Sequence, residues 1–337
     1  METRKKRKLA SAVKCDALNS RSPSTPTKRR YKIRRAAKGR SHAKQQYKPI
    51  VTSVPHRLKR QRFETLLPGV PIGTGTKRDP ITIPLRAVPN CTNCYHCPVG
   101  IDHCTCQEFE EILSNALDEV YCTSSHRRQH AYGRNPLNSK SVLPVFVARI
   151  LRLLNIVEKD VFWDLGCGIG NVVMQAALEH GVDAVGIDIQ PENVEVAQKT
   201  WQKVQAVWKD RHPDRAIGSV CFITGDMFAE LAGIQHGTST QVAPHFHPTK
   251  IWMSNQLFTA HMNHQLADFM TNLPSIKAVC AMHDLFPHER IGITQKRNPK
   301  PYEKFPIMTD YMTQHNSLEW SATEERMFYV YSPRLEH

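Results

Sequence analysis

The sequence lacks long apolar runs, and no stretch approaches the roughly twenty consecutive apolar residues that a membrane-spanning helix needs. The first residues, METRKKRKLA, are charged and contain no apolar core segment, so we expect no secretory signal there. Without such a signal, the ten cysteines are expected to be reduced thiols or metal ligands rather than a disulfide framework.

Acidic residues are scarce in the first quarter of the chain. Residues 1–90 contain 24 Lys and Arg against 4 Asp and Glu, a net charge of +20, so the rest carries −6 of the total +14. Residues 1–88 are also rich in Ser, Pro and Thr, and they cannot bury enough surface to offset the entropy of ordering. The sequence therefore predicts a basic, disordered tail over residues 1–88.

Two basic runs in this tail, residues 4–8 and 28–40, are typical of nuclear-import signals and of arms that bind DNA. A merely solubilising tail is the alternative. No amphipathic helix or lipidation motif accompanies the charge, so a role at a membrane surface is disfavoured. We expect a nuclear protein whose tail contacts nucleosomal DNA, with no membrane partner.

Residues 89–160 begin with a cysteine-rich segment, NCTNCYHCPVGIDHCTCQEF. Sulfur ligands at such short intervals can surround one tetrahedral Zn²⁺, and a reduced cysteine-rich loop is the alternative. The predicted ligands are Cys91, Cys94, Cys97, Cys104 and Cys106. After them, EFEEILSNALDEV has apolar residues at helical spacing, which predicts that a helical subdomain follows the cysteines.

The stretch DVFWDLGCGIGNVVMQAALEH predicts a strand, a glycine-rich turn and a helix, and DAVGID predicts a second strand ending in Asp188. Glycines allow a ligand to approach the backbone, and a helix N-terminus offers unpaired N–H groups. Dinucleotide sites have the spacing G-x-G-x-x-G, whereas here Asp164 precedes glycines at 166, 168 and 170. The pattern fits S-adenosylmethionine-dependent methyltransferases better. A helix N-cap is the alternative role for Asp188.

The alternation of strands and helices continues to the end of the chain. SVCFITGD, KIWM and KAVCAMHD predict three more strands, and LEWSATEERMFYVYS predicts a closing hairpin. Over residues 161–334 we therefore predict an α/β, class I (Rossmann-like) methyltransferase fold with a mostly parallel, seven-stranded sheet. Its cofactor should lie at the carboxyl ends of the strands.

Residues 132–332 resemble the disruptor-of-telomeric-silencing family of histone H3 lysine methyltransferases, as a divergent, kinetoplastid-like member. The segments that carry the resemblance are YGRN, DLGCGIGN, VGID, TGDMF and SNQLFTAHMNHQL. The resemblance implies a chromatin regulator that transfers methyl groups from S-adenosylmethionine to a lysine of histone H3 in nucleosomes.

The resemblance also implies roles for individual residues. The implied cofactor-binding residues are Tyr132, Gly133, Arg134, Asn135, Asp164, Gly166, Cys167, Gly168, Ile169, Gly170, Asn171, Asp188, Asp226 and Met227. The implied catalytic residues of a lysine channel are Asn255, Phe258 and Tyr329, with Trp320 and Phe328 as further walls. An ordinary core position is the alternative for Phe258 and Trp320. Arg134 and Met227 depart from the family pattern, which has an acid and a phenylalanine there.

Two other functions stay open on the sequence alone. Nucleic-acid amino-methyltransferases place two prolines between the Asn or Asp and the aromatic residue after the fourth strand, and SNQLF has no proline. A non-catalytic chromatin-binding module is the second alternative. The intact Asp164, glycine turn and Asp188 count against it.

Overall fold

A computed structural model describes residues 73–82, 105–123, 141–238, 241–286, 291–313, 317–320 and 324–333. The helices in these ranges are α1 (Thr105–Thr123), α2 (Pro144–Leu153), α3 (Asn171–His180), α4 (Pro191–Arg211), α5 (Met227–His236), α6 (Ala260–Asn272), α7 (Ile291–Arg297) and α8 (Lys300–Lys304). The strands are β1 (Val161–Leu165), β2 (Asp183–Asp188), β3 (Val220–Thr224), β4 (Lys250–Met253), β5 (Ala278–Ala281), β6 (Ile307–Met312) and β7 (Met327–Ser332).

The seven strands form one sheet in the order β3-β2-β1-β4-β5-β7-β6. The first five are parallel, and β7 runs antiparallel to both β5 and β6. The predicted α/β, mostly parallel, seven-stranded sheet is confirmed. The predicted closing hairpin was wrong in one strand, because β7 pairs with β6 rather than with a strand near residue 318.

Helices cover both faces of the sheet, as expected for strands that are buried along their whole length. On one face, Phe109 of α1 and Phe146 of α2 are fully buried. The ring of Phe146 meets those of Trp252 and Phe328 edge-on, at 5.9 and 4.9 Å between centroids. The helices predicted before residue 160 therefore share one core with the sheet.

A short segment, residues 73–82, pairs with the outer strand β6. Ile81 forms a parallel bridge to Tyr311 and exchanges backbone hydrogen bonds with Asp310 and Met312. At Gly75, a Cβ atom would lie 2.6 Å from the side chain of Thr309, so only glycine fits this close approach. The tail predicted over residues 1–88 is thus interrupted here by an ordered contact.

No helix in the described ranges is long and apolar enough to cross a membrane. Most of the predicted tail lies outside these ranges, as do Cys91, Cys94, Cys97 and Cys104. Cys106 lies in the first turn of α1 and is buried. Within the ranges that the structure describes, no cluster of three or more His, Cys, Asp or Glu could hold a metal ion.

Candidate functional site

A cavity of about 940 Å³ opens where the parallel strands end. Because the sheet order is β3-β2-β1-β4-β5, the ends of β2 and β3 lie on one side of β1, and those of β4 and β5 lie on the other. The glycine turn after β1 and the segments after β2 and β3 form one part of the wall. The segments after β4 and β5 form the other, so one cavity joins both predicted parts of the site.

The turn between β1 and α3 depends on left-handed glycines, with φ of 84° at Gly166 and 77° at Gly170. A Cβ atom on Gly170 would lie 2.3 Å from the ring of Phe222. The N–H groups of Gly166 and Cys167 both donate to the carbonyl of Ile187, which ties the turn to β2. The turn is therefore a rigid cradle rather than a loose loop.

The Asp188 carboxylate combines two roles. Its Oδ2 accepts the N–H of Gly168 at 2.8 Å, and its Oδ1 accepts from the backbone of Gln190 and the side chain of Asn193 at the start of α4. The alternative N-cap role thus holds in part, although the N-cap residue itself is Gln190. Asp188 lines the cavity and is half-buried, and Oδ2 has a further lone pair for a ligand hydroxyl.

Asp164, at the floor of the cavity, is 3% exposed. Burial, and then the charge of Asp188, raise the pKa of its carboxyl group well above the ordinary value. Among the described residues no hydrogen bond or ion pair compensates this group. A buried acid without a partner in an open cavity fits a cationic ligand group, such as the α-ammonium of S-adenosylmethionine.

The segments after β2 and β3 provide an apolar rim beside these acids. Ile189 is 63% exposed and lines the cavity together with Met227 and Phe228. Asp226 caps α5 by accepting the N–H of Phe228 at 2.9 Å, and it lines the cavity too. Apolar side chains next to one acceptor suit an adenine ring with its amino group. The residues present therefore fit the ammonium, the ribose and the base of S-adenosylmethionine.

Side chains after β4 and β5 give the other part of the cavity an aromatic and thioether lining. Phe258 lies against the glycine turn, where a Cβ atom on Gly166 would be 3.6 Å from the tip of its ring. Met262 and Met282 of these segments also line the cavity, as does Trp320 from the segment before β7. Trp320 also packs partly against the core, as the alternative role considered for it expects.

A short pairing between two loops positions Trp320. Val142 bridges Leu318, and the N–H of Ser141 donates to a carboxylate oxygen of Glu319 at 2.8 Å. The side chain of Asn171, in the first turn of α3, donates to the carbonyl of Val142 at 2.6 Å. Asn171 thus links the glycine turn to the wall of the cavity that Trp320 completes.

The structure gives Asn255 a different place from the predicted one. Its side chain is fully buried, and it is absent from the cavity wall. Its Nδ2 donates to Oδ1 of Asn263 at 2.8 Å and to the carbonyl of His283 at 3.2 Å, while its Oδ1 accepts the N–H of His283 at 2.8 Å. Both donors are used, so Asn255 positions the end of β5 instead of facing a substrate.

Two further predicted channel residues lie in the core. Phe328 is fully buried among Phe146, Tyr311 and the guanidinium of Arg149, which lies 5.1 Å from its ring centroid. Tyr329 is 8% exposed and packs in the cluster on the opposite face of the sheet. Neither residue lines the cavity. Successive side chains of a strand point to opposite faces of the sheet, so Phe328 and Tyr329 lie on different faces. Helices cover both of these faces.

Sequence reasoning missed several residues of the cavity wall. His283, Gln256 and Met262 line it, and so does Ile189. The available signal was position, because Ile189 directly follows a strand-ending acid and His283 follows β5. The predicted cofactor-loop residues Tyr132, Gly133, Arg134 and Asn135 lie outside the described ranges. Ile169 and Gly170 shape the turn from behind the cavity wall.

Residues 139–332, more than half of the chain, match the family model described as histone methylation protein DOT1. Two curated relatives carry the name histone-lysine N-methyltransferase, H3 lysine-79 specific. The protein from Emericella nidulans is 27% identical over 146 residues, which are 43% of this chain and 27% of the relative. The protein from Aspergillus fumigatus is 25% identical over 166 residues, 48% of this chain and 31% of the relative.

The chain therefore spans less than a third of the length of these two relatives. Among solved structures, a putative RNA methyltransferase from Pyrococcus horikoshii is 14% identical with a TM-score of 0.39. That similarity covers 67% of this chain and 96% of the other. No conclusion about the substrate depends on so low a TM-score.

Proposed function

The chain belongs to the histone methylation protein DOT1 family, and from this we propose that it transfers methyl groups from S-adenosylmethionine to a lysine side chain of histone H3 in nucleosomes. The observation that carries the proposal is that an acidic, glycine-lined part and an aromatic, methionine-lined part meet in one cavity. The first part suits the cationic donor. The second suits the aliphatic stem of a lysine.

The proposed contacts of the donor follow from the chemistry of its groups. Asp164 would pair with the α-ammonium, and Oδ2 of Asp188 would accept from a ribose hydroxyl. Ile189, Met227 and Asp226 would hold the adenine. When bound, S-adenosylmethionine supplies a methyl group on a positively charged sulfur, which keeps the electron pair of the broken bond.

The apolar part of the cavity has a task of its own in this proposal. A lysine nitrogen can attack only as the neutral amine, and desolvation among Phe258, Met262 and Trp320 disfavours the ammonium form. The same walls hold the amine in line with the methyl carbon, so no covalent nucleophile is required. This gives a role to Phe258, the aromatic residue that follows the buried strand β4.

The H3 lysine-79 specificity named for the two fungal relatives suggests the class of target lysine. We extend the proposal to a nuclear protein whose basic residues 4–8 and 28–40 contact nucleosomal DNA. The folded remainder carries the net negative charge, so it has no general attraction to DNA. Zn²⁺ bound by the cysteine-rich segment is a further part of the proposal, supported by ligand type and spacing.

The experiment that tests the function offers methyl-labelled S-adenosylmethionine with four acceptors: nucleosomes, free histones, DNA and RNA. Label in histone H3 of nucleosomes is expected. Label in nucleic acid would instead favour an amino-methyltransferase of nucleic acids, and no label in any acceptor would favour a non-catalytic module.

A further inference from the structure

The turn after β5 brings an imidazole and a carboxylate together at the cavity. His283 lines the cavity wall, and its side chain is 53% exposed. Its Nδ1 lies 3.1 Å from Oδ1 of Asp284 and 3.0 Å from the carbonyl oxygen of the same residue. The pair lies on the same side of β1 as Phe258, where the proposed lysine would enter.

Buried side chains hold this turn in place at two points. Asn255 binds both backbone polar groups of His283, the N–H at 2.8 Å and the carbonyl at 3.2 Å. The hydroxyl of Tyr331 accepts the N–H of Leu285 at 2.9 Å. Asn255 and Tyr331 are both fully buried. A side chain whose backbone is fixed on both sides has the pre-organisation that functional groups require.

The partners of His283 determine which ring nitrogen carries the hydrogen. Both atoms near Nδ1 are oxygens that can only accept, the carboxylate and the carbonyl of Asp284. Nδ1 must therefore be the donor in the neutral ring. The lone pair is then on Nε2, which has no hydrogen bond within the described part of the chain. A neutral imidazole oriented in this way by a carboxylate is a general base.

We propose that Nε2 of His283 takes the proton from the substrate lysine, and that Asp284 is the positioning residue that fixes the ring and its tautomer. This rests on the proposed function. The N–H bond of the ammonium breaks, the proton moves to Nε2, and the nitrogen keeps the electron pair. That pair then forms the bond to the methyl carbon as the bond from this carbon to sulfur breaks, with its electron pair left on the sulfur. The imidazolium returns its proton to water after the product leaves.

Other titratable groups surround this pair. Those that line the same cavity are Asp164, Cys167, Asp188, Asp226 and Arg326. Asp164 lies in β1, Asp188 ends β2, and Cys167 and Asp226 follow β1 and β3, so none of these four is on the elements after β4 and β5 that carry His283. A variant of His283 therefore leaves the groups proposed to bind the donor unchanged.

The test compares His283→Gln with His264→Gln, an exposed histidine on α6 that does not line the cavity. At pH 7, methylation of nucleosomes by His283→Gln should fall about a hundredfold, the usual size of a general-base contribution. The deficit should shrink as the pH rises toward about 10, where lysine loses its proton unaided. Donor affinity by calorimetry and thermal stability should match the control.

A second readout needs no turnover. Nitrogen-15 spectra of the histidine rings should show His283 with hydrogen on Nδ1 in the wild type and a weaker preference in Asp284→Ala, which keeps only the backbone carbonyl as an acceptor. An active wild type with an equally active His283→Gln would overturn the inference, as would a deficit that stays constant with pH. A wild type that methylates none of the acceptors would overturn the proposed function itself.

Discussion

The side-chain amide of Asn255 binds both the N–H and the C=O group of His283, so the segment after β4 holds the end of β5. The same amide reaches Asn263 of α6. Three elements thus meet at one buried side chain. The polar residue that follows the apolar strand β4 holds the cavity wall in place from behind.

Replacing Asn255 should therefore affect stability as well as turnover. Asn255→Ala removes the partner of the N–H and the carbonyl of His283 and of Oδ1 of Asn263, and we expect a loss of about 2–4 kcal/mol. Urea denaturation would measure it, with exposed Gln265→Ala on α6 as the control, expected within about 0.5 kcal/mol of the wild type. A stability equal to that of the wild type would show that the amide network does not hold β5.

Asp188 should separate ligand binding from the integrity of the glycine turn. Asp188→Asn keeps one acceptor oxygen for the N–H of Gly168, so the fold should persist. It loses the charge-assisted bond to a ribose hydroxyl, worth about 1.5–3 kcal/mol, and affinity for S-adenosylmethionine should fall about tenfold or more. Asp188→Ala should bind no better and should also melt at a lower temperature. Calorimetry that finds an unchanged affinity for S-adenosylmethionine in both variants would show that Asp188 does not bind the ribose.

The buried Asp164 predicts a pH dependence of opposite sign for stability and for binding. Its pKa is raised by burial and by Asp188, so the ligand-free fold loses stability as pH rises from the ordinary carboxyl range through the raised pKa. An ammonium needs the ionised carboxylate, so donor affinity rises over the same window. At a pH within this window, binding of S-adenosylmethionine should therefore release a proton from Asp164.

Asp164→Asn supplies the matched variant for this prediction. It should melt about 2–4 °C higher without ligand at neutral pH, the shift that roughly 1 kcal/mol produces in a domain of this size. It should also bind S-adenosylmethionine weakly, with no dependence on pH from this position. Thermal denaturation and calorimetry in two buffers of different ionisation enthalpy measure both effects. A variant that is less stable yet binds normally would contradict the account of Asp164.

The cysteine-rich segment predicts about one Zn²⁺ per chain, held by Cys91, Cys94, Cys97 and either Cys104 or Cys106. Elemental analysis of protein purified without chelator is the measurement. Cys94→Ser should lower the content, whereas Cys280→Ser, in the buried strand β5, should not. Wild-type protein without zinc would contradict the prediction and show that these cysteines are ordinary thiols.

Deletion of residues 1–72 should weaken binding to nucleosomes and flatten its salt dependence. Each Lys or Arg that neutralises a phosphate contributes about −0.9 to the log–log slope against salt. The deletion stops before residue 73 because residues 73–82 pair with β6. Affinity for S-adenosylmethionine should be unchanged. Equal slopes for the full-length and shortened chains would show that the tail does not contact DNA and that its positive charge serves only nuclear import or solubility.

Local patterns were enough to predict the first half of the site. β1, the glycine turn, α3 and Asp188 are contiguous in sequence, and their apolar runs and glycines lead to one geometry. The role of Asn255 could not be read in this way, because its partner is 28 residues away and depends on the packing of β4 beside β5.

The end of the chain shows the same limit. Phe328 and Tyr329 are adjacent aromatics of β7, and both resembled channel walls. The pairing of β7 between β5 and β6 puts each of them against a covered face. The sequence pattern did not predict β6, because its residues, IMTDYM, are mostly half-buried and mix polar with apolar side chains. Strand order, rather than composition, decides which aromatic residues reach the cavity.

The most direct test of the central claim is mass spectrometry of histone H3 after incubation of recombinant nucleosomes with this protein and S-adenosylmethionine. The account predicts a methylated lysine in H3 with the wild-type protein and almost none with Asp164→Asn. Unmodified H3 after incubation with a folded wild-type protein that binds S-adenosylmethionine would contradict it.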